Sequence, residues 1–323
     1  MKQLSNNDKL EMLRMMMTIR NFELRMQENF KVRTKKGEDV GAIHSYEGQE
    51  AVAVGVSSCL RKDDYVFSTH RGHGHAIAKG IDLNKITAEL LGKATGCSAG
   101  RGGSMHLFDA GMGFMGGNGI VGGGLPLALG TAYSALARGT DQVTICYIGE
   151  GAVSQGSFHE SLNMAAIQKF PIIYVLENNL YSATTHIKYN SPINNLADRA
   201  KAYDIPGVIV DGNDILEVNS ATNTAVSRAR LGEGPTLLEC KTYRHRPHCM
   251  VIREHRDRGE LAAWKERDPI NLFEAQLIAD GQVDQEQINK IASDVENSLD
   301  DALAFAEASP MPSVESAMEF ILA

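Results

Sequence analysis

Two short polar turns stand where the sequence could bind a metal ion and a phosphate group. Gly149-Glu150-Gly151 follows one apolar run, and Asn178-Asn179 follows the next apolar run after 26 intervening residues. That spacing fits one helix and one strand, so a parallel sheet would bring both turns to the same edge. Carboxylate and amide oxygens are hard ligands suited to Mg²⁺, which keeps phosphate oxygens in its remaining positions. The pair therefore predicts a Mg²⁺-bound diphosphate, whereas either turn alone is typical of an ordinary strand-to-helix connection.

A glycine-rich segment lies upstream of these turns and suits close contact with a ligand. Eleven of the 31 glycines fall between Gly100 and Gly124. Because glycine has no side chain, such a segment lets the backbone approach a bound molecule and present its N–H groups. Gly151 and Ala152 begin the next predicted helix, whose first amides favour an anion. Both features agree with a bound diphosphate.

The elements that must position these turns form a βαβ unit inside a larger α/β fold. Apolar runs at 142–151 and 171–179 are typical of buried parallel strands, and residues 156–168 are predicted to form the helix between them. Further strands are predicted at 207–211 and 235–240. The other predicted helices are 5–30, 49–61, 82–92, 125–139, 213–231 and 270–308. This order of elements predicts a doubly wound parallel sheet.

No linker divides the chain, so we expect a single α/β domain over residues 1–323. A helical extension is expected at 1–45, and a C-terminal helical region at 259–323. Between them, residues 243–258 hold five arginines and three histidines with little periodicity. That composition predicts a mobile basic loop.

The composition excludes several classes of protein. With 43% hydrophobic and 22% charged residues, the chain is neither fibrous nor disordered. A net charge of −8 argues against general binding of nucleic acid. No apolar stretch is long enough to span a membrane and no signal peptide is recognisable, so we expect a cytoplasmic protein. The five cysteines form no CxxC pair, which argues against a zinc site or a disulfide framework, and no GxxxxGK[ST] phosphate loop occurs.

Taken together, the motifs resemble those of a known family. The Gly-Glu-Gly and Asn-Asn pair resembles the thiamine diphosphate motif, in which the acidic residue is usually aspartate. Over residues 10–310 the chain is similar to the α-subunits of the decarboxylating component of 2-oxo acid dehydrogenase complexes, of the pyruvate and acetoin type. The strings that carry this resemblance are HSYEGQEAVAVG, THRGHGHAIAKG, GKATGCSAGRGGSMH, GGNGIVGGGLPLALG, GEGAVSQGSFHESLNMAA, ENNLYS, VDGND and GEGPTLLECKTYR. The resemblance implies the thiamine diphosphate-binding fold.

The resemblance also implies two cofactors, thiamine diphosphate and Mg²⁺, and residues for each. Mg²⁺ would be held by Glu150, the side chain of Asn179 and the backbone carbonyl of Tyr181. The backbone of Gly119 and Val121 would contact the aminopyrimidine ring. The residues implied to hold the diphosphate are His70, Arg71, Gly151 and Ala152, and Gly149 and Glu150 also belong to the implied cofactor-binding set. The residues implied to take part in catalysis are His44, His70 and His248.

The same resemblance implies partners and a reaction. A β-subunit would complete an α₂β₂ heterotetramer, and the substrate would be a 2-oxo acid or an acyloin. A lipoyl acyltransferase would take up the two-carbon unit, and no nucleic acid or membrane partner is expected. Two alternatives stay open. One is a specialised biosynthetic relative that delivers the two-carbon unit to another acceptor such as a carrier protein, and the other is a degenerate scaffold subunit without catalysis.

Three departures from the family's pattern cluster around the expected active site. Glu150 replaces an aspartate, and its extra methylene changes the geometry offered to Mg²⁺. The loop at 245–249 reads HRPHC where the family commonly has YHGHS. Ser182 and Ala183 replace the residues usual after the Asn-Asn motif. We expect these changes to alter the substrate or the acyl acceptor, and the alternative is neutral drift.

Overall fold

The computed structural model describes residues 4–38 and 41–319. Its centre is a parallel sheet, as predicted. The strands of this sheet are β1 (Tyr65–Phe67), β2 (Thr144–Gly149), β3 (Ile172–Asn178), β6 (Gly207–Asp211) and β7 (Thr236–Lys241). They lie in the order β1-β2-β3-β7-β6, and every neighbouring pair is parallel. Two short strands, β4 (Tyr181–Ser182) and β5 (Thr185–His186), form an antiparallel hairpin beyond β3.

Ten α-helices surround the sheet in the described chain. They are α1 (Asn6–Lys35), α2 (Glu50–Ser57), α3 (His73–Lys79), α4 (Leu83–Leu90), α5 (Gly124–Ala137), α6 (Gly156–Gln168), α7 (Ile215–Arg230), α8 (Arg258–Glu266), α9 (Pro269–Ala279) and α10 (Gln285–Ala308). The helix predicted over 270–308 is in fact α9 followed by α10. Gly281 takes a positive φ of 65° after α9, and Asp284 then begins α10 with a capping box.

Both faces of the sheet are covered, which explains why its strands are almost wholly apolar. Successive residues of β2 alternate between two cores: Ile145 and Tyr147 belong to one, and Cys146 and Ile148 to the other. Helices α5 and α6 supply the second core, while α1, α2, α7, α9 and α10 supply the first. Helices on both faces of a parallel sheet confirm the doubly wound class.

The N-terminal helix α1 is tied to the rest of the core by a buried ion network. Arg20 donates to both carboxylate oxygens of Glu50, at 2.7 and 3.0 Å, and to Asp268 at 2.8 Å. Asp268 also accepts from the backbone N–H of Ile270, at the start of α9. One guanidinium therefore joins α1, α2 and α9, and the N-terminal helix is part of the core.

The short helix α3 packs against the Tyr46 ring at a glycine. A Cβ added at Gly74 would lie 2.2 Å from Tyr46 Cδ1, closer than any real contact allows. Tyr46 itself is wholly buried, and its hydroxyl donates to Glu177 at the end of β3. Gly74 is therefore required for the packing of α3 beside the sheet.

Replacing Gly74 with alanine should destabilise the fold by about 1–3 kcal/mol, because the Tyr46 ring would have to move within a close-packed core. The measurement is the urea midpoint of the purified chain. Gly130→Ala is the matched control, since Gly130 lies exposed in α5 with no atom within 4 Å of an added Cβ. That control should stabilise by about 0.5–1 kcal/mol. Equal midpoints for the two variants would contradict the packing argument.

Candidate functional site

The carboxyl ends of the strands surround a cavity of about 410 Å³. Open α/β sheets bind their ligands at this edge. The residues predicted for the cofactor, the metal and catalysis all line this one cavity: His44, His70, Arg71, Gly119, Val121, Gly149, Glu150, Gly151, Ala152, Asn179, Tyr181 and His248. The chain therefore brings together all the positions predicted to bind the cofactor and the metal or to take part in catalysis.

The three predicted metal ligands converge at the ends of β2 and β3. The Glu150 carboxylate accepts from the backbone N–H of Asn179 at 3.2 Å and from Ser182 Oγ at 3.1 Å. Asn179 Nδ2 donates to Gln49 Oε1 at 3.0 Å, which fixes the direction of its amide. Its Oδ1 then faces the backbone N–H of Tyr181 at 3.4 Å. Burial raises the pKa of Glu150 above its ordinary value.

Arg244, which the sequence did not single out, joins these ligands. It is 1% exposed, and its Nε donates to Asn179 Oδ1 at 3.1 Å while Nη2 donates to the Tyr181 carbonyl at 3.2 Å. Burial and the charge of Arg71 lower the pKa of Arg244 to about 9, against the opposing effect of Glu150. A guanidinium thus contacts two of the three predicted Mg²⁺ ligands. The signal for Arg244 was its place in the basic segment, but nothing local set it apart from the other arginines there.

The unsatisfied groups of the cavity fit an anionic, metal-bound ligand. Arg244 Nη1 and His70 Nε2 are buried and have no hydrogen-bond partner among the described residues. A Cβ added at Gly149 would meet no atom within 4 Å, so bare backbone faces open space there. At Gly151 an added Cβ would lie 2.7 Å from Ser182 Oγ. Carboxylate, amide and carbonyl oxygens suit Mg²⁺, and unpartnered side-chain N–H groups suit a phosphate. Gly151 and Ala152 were predicted to begin the next helix, but they lie in a short 3-10 turn (Glu150–Ser154) and α6 begins only at Gly156.

The three predicted catalytic histidines form a cluster on the cavity wall. The ring centroids of His44 and His70 lie 4.8 Å apart, and His248 lies 5.0 Å from the first and 5.1 Å from the second. Burial, with the nearby charge of Arg71, lowers the pKa of His44 to about 3, of His70 to about 2 and of His248 to about 4. All three imidazoles are therefore neutral at pH 7.

Arg71 connects the wall of the cavity to the basic loop. Its Nη1 donates to the Ser45 carbonyl at 2.6 Å and its Nη2 to the His248 carbonyl at 3.0 Å. The guanidinium is 4% exposed, and burial lowers its pKa. With Arg244, two buried cations face the same cavity.

Several arginines of the basic segment 243–258 have partners. Arg256 donates to the Arg244 carbonyl at 2.6 Å and pairs with Glu254 at 2.7 Å. Arg246, at one of the positions that depart from the family's pattern, donates to both carboxylate oxygens of Glu47 at 3.1 Å. Within this segment Arg244 and His248 line the cavity, and the predicted mobility of the loop stays a prediction.

Fold and cavity together define an α/β protein with two buried arginines facing a cavity at the carboxyl edge of a parallel sheet. Comparison with known proteins gives the family. The dehydrogenase E1 component family matches residues 14–315. The chain therefore belongs to that family, and membership implies thiamine diphosphate as the cofactor.

Similar proteins span nearly the whole chain. The α-subunit of acetoin:2,6-dichlorophenolindophenol oxidoreductase from Bacillus subtilis is 44% identical over 96% of this chain and 92% of the relative. The corresponding subunit from Cupriavidus necator is 41% identical over 95% of this chain and 91% of the relative. The pyruvate dehydrogenase E1 component subunit alpha of Porphyra purpurea is 40% identical over 89% of this chain and 86% of the relative. Among residues 4–38 and 41–319, no helix combines the length and hydrophobicity needed to cross a membrane.

The neutral state of His44 should make stability depend on pH. Its pKa is about 3 in the fold and about 6.5 when unfolded, so its stabilising contribution is full above pH 6.5 and is lost as the pH falls towards 3. Between pH 6.5 and 5, wild type should lose about 2 kcal/mol of unfolding free energy more than His44→Gln. Urea unfolding at both pH values measures this. The exposed His255 is the control, and His255→Gln should keep the wild-type pH dependence. Parallel curves for wild type and His44→Gln would contradict the argument.

Proposed function

We propose that this chain is the α-subunit of a thiamine diphosphate- and Mg²⁺-dependent dehydrogenase of the pyruvate and acetoin type, active with a β-subunit. The observation that carries the proposal is the convergence of Glu150, Asn179 and the Tyr181 carbonyl around a buried cationic group at the edge of the sheet. The relatives named as α-subunits of acetoin and pyruvate enzymes support it.

The described residues divide naturally between the metal and the diphosphate. Glu150, Asn179 Oδ1 and the Tyr181 carbonyl would bind Mg²⁺. Arg244 would exchange its contacts with Asn179 Oδ1 and the Tyr181 carbonyl for phosphate oxygens, and Arg71 would bind phosphate oxygens beside it, through charge-assisted hydrogen bonds. Further donors for the diphosphate are His70 Nε2 and the backbone amides that follow Gly149, namely those of Gly151 and Ala152.

Thiamine diphosphate supplies, when bound, an electron sink for cleaving the carbon–carbon bond next to a carbonyl group. The backbone of Gly119 and Val121 would contact the aminopyrimidine ring of the cofactor. A side chain at residue 119 would occupy part of the space for that ring. Because His44 and His248 are neutral, they can orient a substrate by hydrogen bonds without adding charge to a wall that already holds Arg71.

The open side of the cavity suits a partner chain. Ile120 and Val121 line the cavity and are 73% and 52% exposed. Exposed apolar side chains beside a ligand site are typical of an interface. We therefore place the β-subunit there, in an α₂β₂ heterotetramer, with a lipoyl acyltransferase as acceptor of the two-carbon unit. In this proposal the chain is one cytoplasmic α/β domain whose basic loop moves at the active site.

Glu150 is the sharpest test of the metal site. In the complex with the β-subunit, Glu150→Gln should weaken Mg²⁺-dependent binding of thiamine diphosphate by at least about tenfold, because the amide cannot balance the charge of the ion. Isothermal titration at several Mg²⁺ concentrations measures the affinity. Glu150→Asp keeps the carboxylate and is the matched control, expected to bind far better than the Gln variant. An unchanged affinity of the Gln variant at every Mg²⁺ concentration would refute the assignment.

Assembly and turnover test the function as a whole. Native mass spectrometry of the chain copurified with its β-subunit should give two copies of each chain with thiamine diphosphate, and the complex should turn over pyruvate or acetoin. A homodimer without cofactor, in the presence of the β-subunit and Mg²⁺, would instead support a degenerate scaffold. Turnover that requires a carrier protein as acceptor would support the biosynthetic alternative.

A further inference from the structure

A buried chain of hydrogen bonds begins at the cavity wall and runs into the core. Ser68 Oγ lies 2.7 Å from His75 Nδ1, and His75 Nε2 lies 3.1 Å from Glu177 Oε1. Ser68 and Glu177 line the cavity, whereas His75 is wholly buried. The His75 ring is stacked on Tyr147, with 3.6 Å between ring centroids. We call Ser68, His75 and Glu177 the cavity relay, and none of them is needed to hold the cofactor in the proposal above.

Donor and acceptor counting fixes the tautomer of this histidine. The Tyr46 hydroxyl donates to Glu177 Oε1, and the charge of Arg71 acts on the same carboxylate. His75 Nε2 faces that carboxylate oxygen and must therefore carry the proton, since two lone pairs would otherwise oppose each other. His75 Nδ1 is left as an acceptor for the Ser68 hydroxyl at 2.7 Å, a shorter contact than the 3.3 Å from that hydroxyl to the Thr69 carbonyl. This is the orientation in which a histidine withdraws a proton from a serine hydroxyl.

A second relay of the same residue types serves as an internal comparison. Ser104 Oγ lies 2.9 Å from His73 Nε2, and His73 Nδ1 lies 2.9 Å from Glu23 Oε1. Tyr46 joins the two relays, because its backbone N–H donates to Glu23 at 3.0 Å. Ser104 is not among the residues that line the cavity. Of the two relays, the cavity relay is therefore the one with a serine at the cavity.

We propose that the cavity relay accepts the hydroxyl proton of an acyloin substrate, with Ser68 as the group that touches the substrate and His75 as the proton acceptor behind it. The inference rests on the proposed function and specifies its substrate class. An acyloin needs such a group and a 2-oxo acid does not, because carbon dioxide leaves without releasing a proton.

Cleavage of an acyloin breaks the bond between its carbonyl carbon and its carbinol carbon, and the electron pair stays with the acyl fragment. Thiamine diphosphate, when bound, would supply the electron sink for that pair. The carbinol oxygen becomes the carbonyl of the departing aldehyde, so its O–H proton must leave. Ser68 takes up that proton while its own passes to His75 Nδ1, and Glu177 stabilises the resulting imidazolium.

The test compares two serine variants with two substrates. Ser68→Ala and Ser104→Ala, each in complex with the β-subunit, are assayed with acetoin and with pyruvate, using 2,6-dichlorophenolindophenol as electron acceptor. Ser68→Ala should lower kcat for acetoin about 100-fold, with pyruvate turnover within about threefold of wild type. Ser104→Ala should leave both rates near wild type. Ser68→Thr restores a hydroxyl and should recover part of the acetoin rate.

Two further measurements do not depend on turnover. Nitrogen-15 chemical shifts of His75 in the labelled chain should show protonated Nε2 and unprotonated Nδ1. Binding of thiamine diphosphate should be the same for Ser68→Ala and wild type, which separates the relay from cofactor binding.

Three outcomes would overturn the inference. The first is that Ser68→Ala lowers kcat for acetoin and for pyruvate by the same factor. The second is that the His75 proton resides on Nδ1. The third is that wild type turns over pyruvate but not acetoin. The last result leaves the proposed function standing and removes only the substrate class. Wild type that turns over neither substrate, fully assembled and loaded, would overturn the proposed function together with the inference.

Discussion

Two buried arginines facing one cavity are the constraint on which the site depends. A buried cation is costly unless a partner of opposite charge lies close by, and Arg71 lowers the pKa of Arg244 further. Glu150 and Glu177 offset part of this charge, yet Arg244 Nη1 still has no partner among the described residues. Such an arrangement favours binding of an anion, because an anionic ligand would accept hydrogen bonds that these groups do not make within the folded chain.

The parallel sheet makes this concentration of charge possible. Strand ends of a parallel sheet all point to one edge, so residues far apart in the chain meet there without any long connection through the core. Tyr46 shows how firmly the edge is fixed, since its backbone N–H donates to Glu23 and its hydroxyl donates to Glu177. Because Gly74 has no side chain, the Tyr46 ring can pack against it at this edge of the sheet. Packing in the core thus sets the positions of polar groups at the cavity.

Long apolar runs and polar turns were predictable from the sequence, and contacts between distant segments were not. The runs that became β2 and β3 are long enough to identify, whereas β1 has three residues and carries too little pattern. Glu150 and Asn179 were recognisable because a known spacing joins them. Arg244 was not, because its contact with Asn179 exists only once β7 has paired with β3. The role of His75 could not be predicted for the same reason, because its contact with Glu177 forms only in the folded sheet.

Two departures from the family's pattern are a single structural change. Glu150 is longer than the usual aspartate, and Ser182 replaces the usual residue in the hairpin that follows β3. In the fold Ser182 Oγ donates to Glu150 Oε1 at 3.1 Å, and the backbone N–H of Asn179 donates to Glu150 Oε2 at 3.2 Å. The longer side chain is thus fixed at both oxygens. Gly151 leaves the space that Ser182 occupies, since an added Cβ would lie 2.7 Å from its hydroxyl. Glutamate and serine therefore form one unit that presents a carboxylate to the proposed metal position.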